Sequence, residues 1–208
     1  MSARLRVAVL ASGSGSNLQA LIDACRGDAP AEIALVLTNG EVGATARARA
    51  AGIATGLIAR PEDGGTILEQ LRARSAELVV LAGYLKRVPV DVVAAYAGRI
   101  INIHPALLPS FGGPGMYGLH VHRAVLAAGC TVTGPTVHVV TTEYDRGPVL
   151  AQWPVPVAPD DTPESLRQRV LAVEHRLLPA VVLAAARRGR PVRLAPREGA
   201  FGEIDLRE

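Results

Sequence analysis

Asn102 and His104 stand two apart where an apolar run ends, in the segment Asn102-Ile103-His104-Pro105. On an extended chain that spacing puts both side chains on one face. The Asn102 amide is a neutral N–H donor, suited to an oxyanion forming at a carbonyl carbon. The His104 imidazole can move protons near neutral pH. Pro105 restricts His104 to extended backbone. The pair serves either catalysis or a structural cap at a loop entrance. Asp145, in the segment TTEYDRGPVLAQ (141–152), offers a third member. A carboxylate beside His104 would orient the ring and stabilise an imidazolium. Taken alone, an Asp ahead of Gly147-Pro148 also suits an Asx turn.

Other candidates lie at similar places. In ASGSGSNLQAL (11–21), Gly13 and Gly15 permit a tight turn from strand to helix. Backbone N–H groups at such a helix start suit a phosphate, and Ser16 and Asn17 add short donors. The dinucleotide fingerprint requires a third glycine where Leu18 stands, and no acidic residue follows the second strand to hold a ribose, so NAD is disfavoured. Lys86, the only lysine, directly follows an apolar strand. His120 and His122 flank a helix start and face different sides, which disfavours a metal site. His138 alternates within a strand and is placed to face the same cleft as Asn102. Glu174, in a long helix, suits a ribose hydroxyl or an amine, or plain solvent exposure.

The elements that must hold these residues follow from hydropathy. Short apolar runs at 6–12, 32–39, 53–58, 77–83 and 99–104 read as buried strands. Helical spacing separates them at 16–25, 43–51, 66–75 and 89–96. Fully apolar strands alternating with helices mark a parallel sheet covered on both faces. Residues 105–119 hold four Gly and three Pro and form a long loop, of the kind that usually carries function. A helix at 120–128 follows. The stretches 131–140 and 148–157 read as an antiparallel pair added to the sheet, then comes a helix at 162–187 capped by Asp161 or Thr162. The tail, 190–208, reads as a short strand plus irregular chain. No repeat, linker or domain boundary interrupts residues 1–208, so one domain is expected. Ligands of an open parallel sheet bind beyond its carboxyl edge, which points to residues 12–17, Asn39, 83–87, Asn102 with His104, and 141–147.

Composition narrows the classes. The chain has 208 residues, 49% hydrophobic and 20% charged, with a formal net charge of +3. Aromatics are 3% and no dense basic block interleaves with them, which argues against nucleic-acid binding. Arg187, Arg188, Arg190 and Arg193 read as a solvated helix end. Cys25 and Cys130 are far apart without metal spacing, so no metal is expected, and both thiols are expected buried and reduced. No apolar stretch is long enough for a membrane span or a signal segment. A cytoplasmic protein acting on small molecules, without membrane or nucleic-acid partners, is the expectation.

The motifs Gly-x-Gly-Ser-Asn-Leu-Gln-Ala, Asn-x-His-Pro-x-Leu-Leu-Pro and Asp-x-Gly-Pro-x-Leu-x-Gln together resemble the folate-dependent phosphoribosylglycinamide formyltransferase family, over about residues 6–188. The resemblance implies a Rossmann-like formyltransferase fold: an α/β, mostly parallel twisted sheet with helices on both faces and an antiparallel C-terminal strand addition. It implies formyl transfer from 10-formyltetrahydrofolate, as co-substrate, to the amine of phosphoribosylglycinamide in purine biosynthesis, by a monomer or homodimer. It implies Asn102, His104 and Asp145 as the catalytic set, with His104 held protonated by Asp145. Gly15, Ser16 and Asn17 would take the substrate phosphate, and Glu174 would contact the ribonucleotide. Leu85, Lys86, Arg87 and Val88, with Val140, Thr141, Glu143 and Asn102, would wrap the pterin. Asp145-Arg146-Gly147 stands where the family has Asp-Gly-Gly. Rival readings are another formyltransferase of the superfamily, a nicotinamide oxidoreductase, and a non-catalytic ligand-binding module.

Overall fold

The computed structural model describes residues 4–197 and 200–203. In chain order the elements are β1 (Leu5–Ala11), α1 (Ser16–Ala24), β2 (Ala31–Thr38), α2 (Gly43–Ala50), β3 (Thr55–Leu57), α3 (Gly64–Ala73), β4 (Leu78–Leu81), α4 (Val90–Ala95) and β5 (Ile100–His104). There follow α5 (Leu119–Ala127), β6 (Val132–Thr133), β7 (Thr136–Val139), β8 (Val149–Gln152), β9 (Val155–Pro156), α6 (Pro163–Arg188), β10 (Leu194–Arg197) and β11 (Ala200–Glu203).

Seven strands form the main sheet in the order β3-β2-β1-β4-β5-β7-β8. The first five are parallel; β7 runs antiparallel to β5, and β8 to β7. The continuous apolar strands are explained by burial on both faces. Along β1, Val7, Val9 and Ala11 pack under α1 and α6, while Ala8 and Leu10 pack under α3 and α4. A separate cluster, with Val121, Val125, Leu166 and Val170, joins α5 to the start of α6. Thr162 caps α6, its hydroxyl accepting from the Ser165 N–H at 3.1 Å, and the helix stops at Gly189 in the left-handed region. The strand order reverses between β1 and β4, and their carboxyl ends open one cleft. There the Ser12 N–H donates to the Gly83 carbonyl at 3.1 Å and the Ser12 hydroxyl accepts from the Leu85 N–H at 3.0 Å.

Three sequence expectations need correction. The stretches 131–140 and 148–157 are not two continuous strands. Each divides in two, and β6 pairs with β9 in a small sheet apart from the β7–β8 ladder. Gly134, at φ +143°, precedes Pro135, and Trp153 precedes Pro154; the prolines lack ladder donors and the backbone bends there. The tail carries a hairpin, β10 with β11, where one short strand was expected; 198, 199 and 204–208 lie outside the described residues. Cys130 is half-buried, whereas Cys25 is buried as expected. No helix among the described residues is long and apolar enough to cross a membrane.

Candidate active site

One cavity of about 500 Å³ opens at the carboxyl edge of β1, β4 and β5. The residues that the family resemblance assigns to catalysis and binding line it: Gly15, Ser16 and Asn17, Leu85 to Val88, Asn102 and His104, Val140, Thr141, Glu143 and Asp145, and Glu174. Asn39, expected at this edge, is not part of the lining. His122, His138, Arg167 and Leu171 are.

The central cluster is set by strand register. Asn102 on β5 sits directly opposite His138 on β7, and side chains of such a pair meet. The Asn102 Nδ2 is 3.1 Å from His138 Nε2. The His138 Nδ1–H donates to the Val139 carbonyl at 3.0 Å, so Nε2 is the atom that faces both Asn102 and Asp145. Asp145 reaches the cluster from a loop residue in the left-handed region, φ +53°, which Asp tolerates better than most residues. Its Oδ1 lies 3.4 Å from His138 Nε2 and its Oδ2 lies 3.7 Å from His104 Nδ1. The Gly113 N–H donates to Oδ2 at 2.8 Å. Asp145 therefore serves two imidazoles, and the nearer is His138, not His104. Burial alone would raise the Asp145 pKa, but the His138 contact, the Gly113 N–H and both rings together bring it below the usual carboxylate range.

His104 is almost fully buried. Its Nε2–H donates to the Phe111 carbonyl at 2.8 Å, leaving Nδ1 as the lone-pair atom that faces Asp145. Burial lowers the His104 pKa, and the opposing pull of Asp145 and Phe111 does not overcome it. Burial thus works against a ring held protonated by Asp145 and favours the neutral form. The long 105–118 loop is pinned beside it by Thr136, whose hydroxyl donates to the Ala106 carbonyl at 2.6 Å and accepts from the Leu108 N–H at 3.0 Å.

The turn into α1 forms part of the cavity wall. Gly15 has φ +76°, and a Cβ there would come within 2.6 Å of the Ala44 Cα; only glycine meets both demands. Helix α1 has no side-chain cap, so its first-turn N–H groups are without that partner. The Asn17 side chain, expected to serve as a phosphate donor, gives one of its two Nδ2 protons to Glu174 Oε2 at 2.6 Å. Glu174 is buried, not solvated, and burial pushes its carboxyl up against the opposing pull of Asn17 and Arg167. Arg167, Leu171 and Glu174 share a helix face by their spacing of four and three; that spacing was the sequence signal for the two residues not named from it. His122 is buried while His120 is exposed against Tyr117. Burial, with the charge of Arg167, pushes His122 down to about 4.

The 84–88 and 140–145 segments also line the cavity. Arg87 joins them, donating to the Thr142 carbonyl at 2.9 Å and lying 5.8 Å from the Tyr144 ring centre. Three lining residues, Asn17, Tyr84 and His122, each hold a buried polar atom with no protein partner, as expected where a polar ligand completes the bonding. Among the described residues no three His, Cys, Asp or Glu side chains group as metal ligands.

The formyl transferase family model matches residues 5–182. The phosphoribosylglycinamide formyltransferase of Mycobacterium tuberculosis is 40% identical over 90% of this chain and 88% of its own. The chloroplastic enzyme of that name from Arabidopsis thaliana is 44% identical over 86% of this chain, which spans 64% of the plant protein's length. The crystal structure of the Anaplasma phagocytophilum phosphoribosylglycinamide formyltransferase superposes with a TM-score of 0.84, at 38% identity, covering 99% of this chain and 97% of that one. The chain belongs to the formyl transferase family, in the branch of the phosphoribosylglycinamide formyltransferases.

Proposed function

We propose that this chain transfers the formyl group of 10-formyltetrahydrofolate to the amine of phosphoribosylglycinamide, giving the formylated ribonucleotide and tetrahydrofolate in purine biosynthesis. The observation that carries the reading is what one cavity brings together. A helix start suited to phosphate, a buried carboxylate suited to a ribose hydroxyl or amine, an Asn/His/Asp cluster, and two loop segments joined by Arg87 all line it. That set matches a phosphorylated ribose, a nucleophilic amine, an acyl carbon and a flat heterocycle.

In this reading the N–H groups of Gly15, Ser16 and Asn17 hold the phosphate, and Glu174 holds the ribonucleotide. Residues Leu85 to Val88, with Val140, Thr141, Glu143 and Asn102, wrap the pterin. The neutral amine attacks the formyl carbon, and the carbonyl oxygen becomes an oxyanion. Asn102 donates to that oxygen, where a fixed donor typically contributes about 3–4 kcal/mol. The attacking nitrogen becomes positive and loses a proton. His104, neutral at rest, takes it on Nδ1 beside Asp145 Oδ2, and Asp145 stabilises the imidazolium. The proton passes to N10 as the C–N10 bond breaks. His138 Nε2 accepts from the Asn102 amide and fixes it in place. The chain works as one domain on small molecules in the cytoplasm, as a monomer or homodimer.

The test is direct. Purified protein, 10-formyltetrahydrofolate and phosphoribosylglycinamide are mixed, and loss of the formyl group from the folate is followed by absorbance. Turnover dependent on the ribonucleotide is expected. Deformylation at the same rate without it would sink the reading.

A further inference from the structure

The phosphate seat depends on which way two peptide groups face, and neighbouring helix α2 controls both. The Ala44 N–H donates to the Gly13 carbonyl at 3.1 Å. The Arg47 Nε–H donates to the Ser14 carbonyl at 2.9 Å. Both carbonyls therefore point at α2. A planar trans peptide directs its N–H opposite to its C=O, so the N–H groups of Ser14 and Gly15 point away from α2. Both residues line the cavity, and successive N–H groups turned the same way form an anion-binding nest. Close approach makes this possible: at Gly43 a Cβ would lie 2.7 Å from the Ser14 carbonyl oxygen. The Gly13 carbonyl is held by backbone, which almost any sequence would supply. The Ser14 carbonyl is held by a side chain. The same guanidinium also donates through Nη1 to Gln19 Oε1 at 3.2 Å, on the first turns of α1, so one group spans the turn and the helix it opens.

We propose that Arg47, which does not line the cavity, is a positioning residue for the phosphate seat. It locks the Ser14–Gly15 peptide and the start of α1 in the orientation that presents their N–H groups to a phosphomonoester. The proposal rests on the reading of this part of the cavity as the site of the substrate phosphate. A guanidinium is suited to the task because its rigid fork holds two acceptors in a fixed geometry, whereas the three rotatable donors of an ammonium on a flexible stem fix none.

The test compares Arg47→Ala, Arg47→Lys and Arg49→Ala, the last a control on the same helix whose guanidinium pairs with Glu41 at 2.6 Å. Two readouts are taken: steady-state kinetics with each substrate varied, and binding of inorganic phosphate by calorimetry. Arg47→Ala should raise the KM for phosphoribosylglycinamide and the phosphate dissociation constant together, by about tenfold, the scale of one lost charge-assisted hydrogen bond. The KM for the folate and kcat should stay within about twofold, a split that general loss of structure would not give. Arg47→Lys, which keeps the charge and tests the proposal even if the Ala variant does not fold, should remain weakened. Arg49→Ala should match the parent. Full recovery in Arg47→Lys would assign the effect to charge alone and overturn the proposal. So would unchanged phosphate affinity in Arg47→Ala, or equal losses for both substrates. A parent protein that binds phosphate in an Arg47-dependent way but does not formylate phosphoribosylglycinamide would overturn the proposed function and leave the role of Arg47 standing.

Discussion

Replacing Asp145 by Asn separates its charge from its shape. Asn is isosteric, accepts from the Gly113 N–H as Asp does, and tolerates the φ of +53° that this position requires. What is lost is the negative charge 3.7 Å from His104 Nδ1. At that separation two unit charges in an effective dielectric of about 20 attract by about 4.5 kcal/mol. That attraction exists only while His104 is an imidazolium, which on the proposed mechanism is the intermediate and not the resting enzyme. The loss therefore falls on kcat. Because His138 also faces the carboxylate, a fall of about 10²–10³-fold is expected in place of the full Coulomb figure. Both KM values should move little. The pH profile supplies an independent sign. Rate carried by a neutral His104 rises as pH rises through its pKa. Burial lowers that pKa, and Asp145 is the group that pulls it upward. Removing the charge should move the acid limb of kcat/KM to lower pH. The assay is the folate absorbance change across pH 5–9, with each substrate varied in turn. A kcat within tenfold of the parent, or an acid limb that stays put or moves to higher pH, would refute the reasoning.

Asn102→Ala removes the oxyanion donor and should lower kcat by about 10²–10³-fold with the melting temperature nearly unchanged; near-parental turnover in steady-state assays would exclude that role. Glu174→Gln trades function for stability. Its folded pKa lies above the unfolded value, so the ionised carboxylate destabilises the fold as pH rises through the folded pKa. At pH 7–8 the variant should melt at a higher temperature by calorimetry and show a raised KM for the ribonucleotide, and the difference in melting should shrink as the pH is lowered. Cys25 is buried, and burial pushes its thiol up to about 11 against the opposing pull of Arg4. In a thiol-labelling time course at pH 8, half-buried Cys130 should react first and Cys25 only on unfolding; fast native labelling at Cys25, located by peptide mass, would contradict this.

Much of the fold was legible because its determinants are local. Runs such as Val7–Ala11 are apolar at every position since both faces of the sheet are covered, and that pattern survives in one dimension. Division of the late strands at Gly134-Pro135 and Trp153-Pro154 was written in residue types, but both stretches still keep a strand composition, so only the pairing of β6 with β9 revealed it. The candidate site was legible as residue types at the ends of strands, a position that topology makes into a binding mouth.

Its wiring was not legible, because wiring is decided by distance across the fold. Asn17 and Glu174 are 157 residues apart in sequence and 2.6 Å apart in space. The sequence presented Asp145 as the partner of His104; register between β5 and β7 brought His138 nearer to it. The balance of influences on His104 was hidden for a similar reason. A neighbouring carboxylate argues for an imidazolium, but the degree of burial that outweighs it is a property of the packed core alone. Sequence by itself determined which chemical groups stand at the carboxyl edge of the sheet and that glycines permit a tight turn into α1. Tertiary structure decided which groups touch, which are dry and which are charged, since hydrogen-bond geometry and desolvation depend on neighbours that no local pattern names.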